Sequence, residues 1–245
     1  MPSLKKIRLD QLLVSRGHFA SRHQAQIAIR SGQIITDNSL SDKPGRAVSP
    51  GTKITIKKKP RYKSRGGEKL EFALKEFSFP VAGKIALDIG CSTGGFTDCL
   101  LQHGAVMIYA VDVGYGQLDL SLRSNPKIVV MEKTNARYLQ PDKFPVPPEI
   151  ITVDVSFISL EKILPVVSRL LAPKGCAVVL IKPQFEAGPG QAPKGVVRNP
   201  VVHEKVITRI KKTAADSGLK PQGVIPSPLL GPKGNREFLL YLIKT

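Results

Sequence analysis

The sequence predicts an α/β fold: a mostly parallel, seven-stranded sheet covered on both faces, preceded by a small α+β domain. Three observations carry this. From Lys84 onward, apolar runs of strand length alternate with amphipathic runs of helix length, the pattern of a parallel sheet with crossover helices. The last two strand-type runs are joined by a short turn-rich segment, so one edge of the sheet should pair antiparallel. The charge is uneven: residues 1–69 hold 16 Lys/Arg against 4 Asp/Glu, a net of +12, whereas residues 70–245 hold 21 against 15, a net of +6. A basic amino-terminal third ahead of a near-ordinary remainder marks two parts with different partners.

Arg8 to Ser15 reads as a short helix with Leu9, Leu12 and Leu13 on one face and Gly17 after its end. Ser21 and Gln24 have capping-box spacing; Ala25, Ala28 and Ile29 make the buried face of a second helix that Gly32 ends. Arg22, Gln26 and Arg30 recur at four-residue intervals on another face, which sets two guanidinium groups in a row for phosphates, although a merely solvated face has the same pattern. Gln33 to Thr36 and Lys53 to Lys57 read as strands around the turn-rich stretch Asp37 to Gly51. A basic linker follows, Lys57-Lys58-Lys59-Pro60-Arg61-Tyr62-Lys63-Ser64-Arg65-Gly66-Gly67, stiffened by proline and loosened by glycine. Glu68 to Phe77 is a predicted helix with Lys69 near its start, a position unfavourable for a cation.

The predicted strands of the larger part are Lys84 to Ile89, Val106 to Val113, Lys127 to Met131, Glu149 to Val153, Gly175 to Ile181, Gly223 to Ser227 and Glu237 to Ile243. Ser159 should cap a long helix from Leu160 to Leu171, and Asn199-Pro200 should open another ending at Gly218. Ligands of such sheets sit beyond the carboxyl ends of the strands, where Asp88, Asp112, Asp154 and Lys182 fall.

The chemistry begins at Leu87 to Leu100, where a strand passes into a helix through a turn carrying Gly90, Gly94 and Gly95. Glycines let a ligand approach the backbone, and the N–H groups at the helix start offer hydrogen bonds. The spacing is not G-x-G-x-x-G: position 92 is serine, and a pyrophosphate would be repelled by Asp88. An acidic strand end suits an ammonium or a sulfonium, and S-adenosylmethionine (SAM) has both. The expected cofactor contacts are Asp88, Gly90, Ser92, Thr93, Gly94, Gly95, Phe96 and Asp154, with Asp112 on the ribose diol and Asn135 near the adenine. The plainer alternative leaves Asp88 as a helix cap and the glycines as an ordinary turn.

Composition bounds the rest. The formal charge is +18 over 245 residues, and no run approaches the roughly 20 apolar residues of a membrane helix. The amino terminus has no signal-peptide apolar segment, so a cytoplasmic protein with a polyanionic partner is expected. Cys91, Cys99 and Cys176 lack paired metal spacing, so neither a metal site nor a disulfide framework is expected. Cys91 lies in the binding turn, but nothing in the sequence marks a base to activate it.

Residues 6–57 resemble the S4 RNA-binding domain through Arg8-Leu9-Asp10, Ser21-Arg22-His23-Gln24-Ala25, Ile29-Arg30-Ser31-Gly32-Gln33 and Lys43-Pro44-Gly45. The first strand turn departs from the family's Val-Asn-Gly, carrying Thr36-Asp37-Asn38-Ser39 instead. The expected RNA contacts are Arg8, Arg22, Arg30 and Lys57 within this stretch and Lys58, Lys59 and Arg65 in the basic linker after it. Together with the linker composition and the seven strand-type runs, which fit a Rossmann-like methyltransferase, the expected division is an S4 domain (6–57), a basic linker (58–67) and a Rossmann-like methyltransferase domain (68–245).

Nearly the whole chain is similar to the TlyA family, and more distantly to FtsJ-like RNA 2′-O-methyltransferases. The matching stretches are Ser64 to Leu70, Leu87 to Leu101, Tyr109 to Asp119, Glu132 to Tyr138, Asp154 to Ser159, Lys182 to Glu186 and Gly234 to Phe238. The resemblance implies methylation of a cytidine ribose 2′-hydroxyl in ribosomal RNA, free or in a subunit, with the FtsJ-like Lys-Asp-Lys-Glu tetrad on Lys69, Asp154, Lys182 and Glu237. A ribose hydroxyl is a poor nucleophile and a sulfonium already a good leaving group, so such residues need only align the two and handle one proton. Two alternatives remain at this level: an RNA- or ribosome-binding protein without catalysis, and the haemolysin activity sometimes ascribed to TlyA relatives.

Overall fold

The computed structural model describes residues 6–30, 33–37, 39–41, 43–56 and 60–245. The chain divides into two compact units, 1–60 and 61–245.

In the first unit, β1 (Ile7–Arg8) leads into α1 (Leu9–Ser15), and α2 (Arg22–Arg30) packs on it; β2 (Ile34–Thr36), β3 (Ser39–Leu40), β4 (Ala47–Val48) and β5 (Ile54–Ile56) follow. The two predicted strands pair antiparallel, with Ile34 opposite Ile56 and Thr36 opposite Ile54. The turn-rich stretch also contributes two strands the sequence did not suggest, β3 against β2 and β4 against β1. Two-residue strands are too short to show an apolar alternation. Ser21 Oγ accepts from the Gln24 N–H at 3.3 Å, while Gln24 Oε1 accepts from the N–H of Ala20, one residue before the expected partner. The core is Leu9, Leu12, Leu13, Ala25, Ala28, Ile29, Ile34 and Val48. Gly32, the expected helix stop, lies outside the described residues, as do Lys57, Lys58 and Lys59.

Asp10 is fully buried in this unit and pairs with Arg8 of β1 and Arg22 of α2. Its carboxylate accepts from Arg8 at 2.9 and 3.0 Å, from Arg22 at 3.2 Å and from Gln26 Nε2 at 2.8 Å. The Arg8 hydrogen bonds hold its carboxyl well below the usual carboxylate range, against the opposing effect of burial. A depressed carboxyl contributes stability that is present above the unfolded value, about 4, and is lost as the pH falls toward the folded one. Hydrogen-exchange protection of residues 9–30, corrected for intrinsic rates, should therefore fall as the pH drops below about 4. Asp10→Asn should remove that pH dependence; an unchanged profile would detach it from this carboxylate.

The second unit opens with α3 (Gly66–Phe77) and continues through β6 (Ile85–Ile89), α4 (Gly95–Gln102), β7 (Met107–Val111), α5 (Leu120–Arg123) and β8 (Ile128–Met131). After β9 (Ile150–Val153) come α6 (Leu164–Leu170), β10 (Cys176–Ile181), α7 (Pro183–Glu186), α8 (Pro200–Asp216), β11 (Leu219–Pro226) and β12 (Phe238–Lys244). The sheet order is β11-β12-β10-β9-β6-β7-β8, and β12 alone runs against its neighbours. Strand alternation sorts the core into two layers. Leu87, Ile89, Val179 and Ile181 pack on the face carrying α6 and α8, and Ala86, Val178 and Leu180 on the face carrying α3 and α4. From β6 the chain winds outward to β8 and then returns to the other side of β6 at β9, so the topological switch lies between β6 and β9.

Several boundaries differ from the sequence expectation, three of them for a clear physical reason. The helix expected over Leu160 to Leu171 is a 3-10 turn, Leu160–Lys162, followed by α6; Pro165 has no N–H to carry a continuous ladder and sits where an α-helix can restart. Ser159 does cap the turn, accepting from the Glu161 N–H at 3.2 Å. β11 starts at Leu219, immediately after Gly218, because Leu219 is fully buried. Finally, α3 starts at Gly66, inside the stretch read as a basic linker. A Cβ on Gly67 would lie 2.3 Å from the Tyr62 ring, and Tyr62 is itself buried, so this glycine permits close packing rather than flexibility.

Candidate active site

The site forms where β6 and β9 end, and the two strand ends nearly touch. Gly90 has φ 85°, and a Cβ on it would fall 2.5 Å from the backbone oxygen of Asp154, so only glycine fits there. Two cavities adjoin at this point and share Gly90, Ser92, Asp154 and Ser156. One, about 310 Å³, runs along the apolar surface of Val111, Val113 and Ile158 to Asp112 and Asn135. The other, about 300 Å³, is bounded by Thr93, Gly95 and Phe96 of the turn together with Arg65, Lys69 and Lys182.

Asp112 follows β7 directly and is fixed by the backbone: its carboxylate accepts from the N–H groups of Ser92 at 2.8 Å and Gly114 at 2.7 Å. Asn135 caps the next turn through the Arg137 N–H and faces the same cavity. Two expected cofactor residues do not reach either cavity. Asp88 is fully buried because, one residue before the strand end, its side chain falls on the α4 face of the sheet, where it accepts from Thr97 Oγ1 at 2.6 Å and Thr152 Oγ1 at 2.9 Å. Burial pushes its carboxyl up to about 6, with the two hydroxyl donors opposing the shift. Its place is under the turn, joining α4 to β9, and not against a ligand's cation. Gly94 likewise points inward: at φ 96°, a Cβ there would meet Leu122 at 2.3 Å.

The four tetrad residues form two ion pairs. Lys69 Nζ lies 2.6 Å from Glu237 Oε2, with the Glu237 side chain fully buried. Lys182 Nζ lies 2.6 Å from Asp154 Oδ1, a close ionic contact, and donates to Ser156 Oγ at 2.9 Å. Lys69, Asp154 and Lys182 face one cavity, while Glu237 stands behind Lys69. Lys182 is thus paired directly with a carboxylate of the same cavity wall, Asp154. Cys91 borders the cavity, but burial and then the Asp88 carboxylate push its thiol up, which disfavours a nucleophile.

Sequence reasoning assigned no role to Ser156, the hydroxyl that Lys182 engages, or to Phe157. Phe157 is 90% exposed at the mouth of the Asp112 cavity, has φ 63° and packs against Phe185 at 4.8 Å between ring centroids. An exposed aromatic ring in a strained backbone was the signal, but only the structure reveals the strain. Of the proposed RNA contacts, Arg65 borders the lysine cavity, Arg30 is exposed, and Arg8 and Arg22 are half exposed while bound to Asp10. Among the described residues there is no cluster of metal-ligating type, and no helix is long and apolar enough to cross a membrane.

A seven-stranded sheet with a ligand crevice at its switch point and paired lysines and carboxylates at the strand ends defines a methyltransferase-type α/β protein. Residues 62–244 match the profile of the FtsJ-like methyltransferase family. Over 241 residues the chain is 51% identical to a Bacillus subtilis protein named "Putative rRNA methyltransferase YqxC", covering 97% of this chain and 86% of the relative. It is 42% identical to "16S/23S rRNA (cytidine-2'-O)-methyltransferase TlyA" of Mycobacterium tuberculosis, covering 97% and 90%. Among solved structures, "Putative hemolysin from Streptococcus thermophilus" is 44% identical, with a TM-score of 0.77 over 99% of this chain and 90% of that one. The chain belongs to the FtsJ-like methyltransferases and, within them, to the TlyA group.

Proposed function

We propose that this protein transfers a methyl group from SAM to the 2′-hydroxyl of a cytidine in ribosomal RNA. The observation that carries the proposal is the meeting of the two cavities at Gly90, Ser92, Asp154 and Ser156, one shaped for a nucleoside and the other faced by Lys69 and Lys182. The first fits the cofactor: it has an apolar wall for adenine, Asn135 beside it, a carboxylate at Asp112 for a ribose diol, and a backbone cradle at Gly90 that any Cβ would fill. When bound, SAM supplies an electrophilic methyl group. The chain's own residues position the acceptor hydroxyl, with Lys182 taking its proton or stabilising the charge that develops on its oxygen, Asp154 and Ser156 fixing the direction of that amine, and Glu237 fixing Lys69.

Asp112→Ala should weaken SAM binding by about 1–3 kcal/mol, roughly 5- to 150-fold, the scale of lost hydrogen bonds to a charged group. Titration calorimetry reads this directly; unchanged affinity would move the nucleoside elsewhere, and tight NAD binding would replace the ligand. The activity itself is tested by mapping ribose methylation in ribosomal RNA from cells with and without the protein. An identical methylation map would refute it.

Residues 1–60 would supply RNA affinity in this proposal, with Arg22 and Arg30 at phosphates. Replacing both with alanine should weaken RNA binding at every sequence and reduce its logarithmic salt slope by about two at most, leaving SAM affinity intact. Filter binding across a salt series decides it, and an unaltered slope would exclude both arginines as contacts.

A further inference from the structure

Two turns of the same sequence stand side by side, and one of them reaches the lysine cavity. Pro193-Lys194-Gly195 and Pro232-Lys233-Gly234 each hold the lysine in the left-handed region, at φ 55° and 57°, and the following glycine at φ 76° and 81°. The buried Asn235 locks the turns together. Its Nδ2 donates to the carbonyls of Gly195 and Pro232, both at 2.9 Å, and its Oδ1 accepts from the Val197 N–H at 3.1 Å. Lys233 Nζ also donates to the Lys194 carbonyl at 3.3 Å. Both lysines are exposed, and neither is in a salt bridge among the described residues.

Their location gives this cationic pair a use. Pro232 borders the cavity that Lys69 and Lys182 face. A Cβ on its neighbour Gly231 would fall 2.1 Å from Glu237 Oε1, so this wall is pressed against the Lys69–Glu237 pair. A ribose methylated within an RNA strand carries a phosphodiester on each side, and those anions must pass the rim when the ribose enters. A third copy of the tripeptide, Pro173-Lys174-Gly175, also has its lysine at positive φ but precedes β10, whereas Lys182 follows it. The third copy is thus a built-in control at the opposite end of the same strand.

We propose that the two Asn235-braced turns form a phosphate clamp, with Lys194 and Lys233 holding the RNA backbone beside the acceptor nucleotide. This rests on the RNA methyltransferase function above. The test uses the full chain with Lys194→Asn and Lys233→Asn together, since asparagine removes the charge yet tolerates the left-handed region. Unmodified ribosomal RNA is the probe, for binding across a salt series and for methylation kinetics. The RNA Kd and KM should rise about tenfold or more, and the salt slope should fall by about one to two, the loss of two phosphate contacts. The kcat and SAM affinity should hold, the corresponding arginine pair should restore KM, and Lys174→Asn should match the unaltered protein. Unchanged Kd, KM and slope in the asparagine pair would overturn the clamp, as would a loss confined to kcat. If the unaltered protein methylates no ribosomal RNA, the function fails instead, and the binding series still decides the clamp.

Discussion

Lys182→Ala is expected to lower single-turnover methylation by about 100-fold or more, the lower end for loss of a general base, while leaving SAM and RNA binding intact. The side chain is aimed by the fold: it follows the last residue of the fully buried β10 and precedes Pro183, which restricts its backbone. Its amine is then fixed by Asp154 Oδ1 at 2.6 Å and Ser156 Oγ at 2.9 Å, both of which flank the junction of the two cavities. Removing the amine removes the group proposed to meet the reacting hydroxyl, and little that either ligand needs for affinity. Lys182→Arg separates its two roles. Arginine retains a charge but cannot give up a proton in a protein, so substantial activity in that variant would exclude proton abstraction and leave electrostatic stabilisation. Full activity in the alanine variant, measured as labelled methyl transfer under single-turnover conditions, would remove Lys182 from the mechanism.

The strands of the larger unit were legible because each is a short apolar run bounded by turn residues, and their mostly parallel arrangement followed from their alternation with helices. The positions of Asp112, Asp154 and Lys182 at the site followed from the same rule, since each lies just past a strand end. Asp88 was misplaced by one residue of register: strand alternation turns it into the α4 layer, and a period of two admits no intermediate position. Gly67 and Gly94 look like flexible points in a sequence, yet each is required by a neighbouring ring or leucine that only the packed structure brings near. The pairing of Lys69 with Glu237 joins residues 168 positions apart, and no local pattern encodes it. The braced turns at Lys194 and Lys233 were equally hidden, because a Pro-Lys-Gly tripeptide recurs three times and only its tertiary partners distinguish the copies.

Lys69→Met alone is expected to cost about 3–5 kcal/mol of stability, because it leaves the Glu237 carboxylate buried without its cation. Glu237 is fully buried at its side chain, its Oε1 has no hydrogen-bond partner, and Gly231 presses against that same oxygen, so little nearby can compensate. Replacing both residues with methionine, unbranched and of similar length, should return most of the lost stability, since an apolar pair avoids the cost of dehydrating two charges. The same double variant should remain inactive, because Lys69 faces the cavity proposed to take the acceptor hydroxyl. Denaturant unfolding of the two variants, alongside methylation under single-turnover conditions, distinguishes a catalytic pair from a structural one. A double variant that is both stable and active would make Lys69 and Glu237 ordinary scaffold. Stability regained with activity still absent would instead mean that the chain retains a buried charge pair for the chemistry it places at the cavity wall.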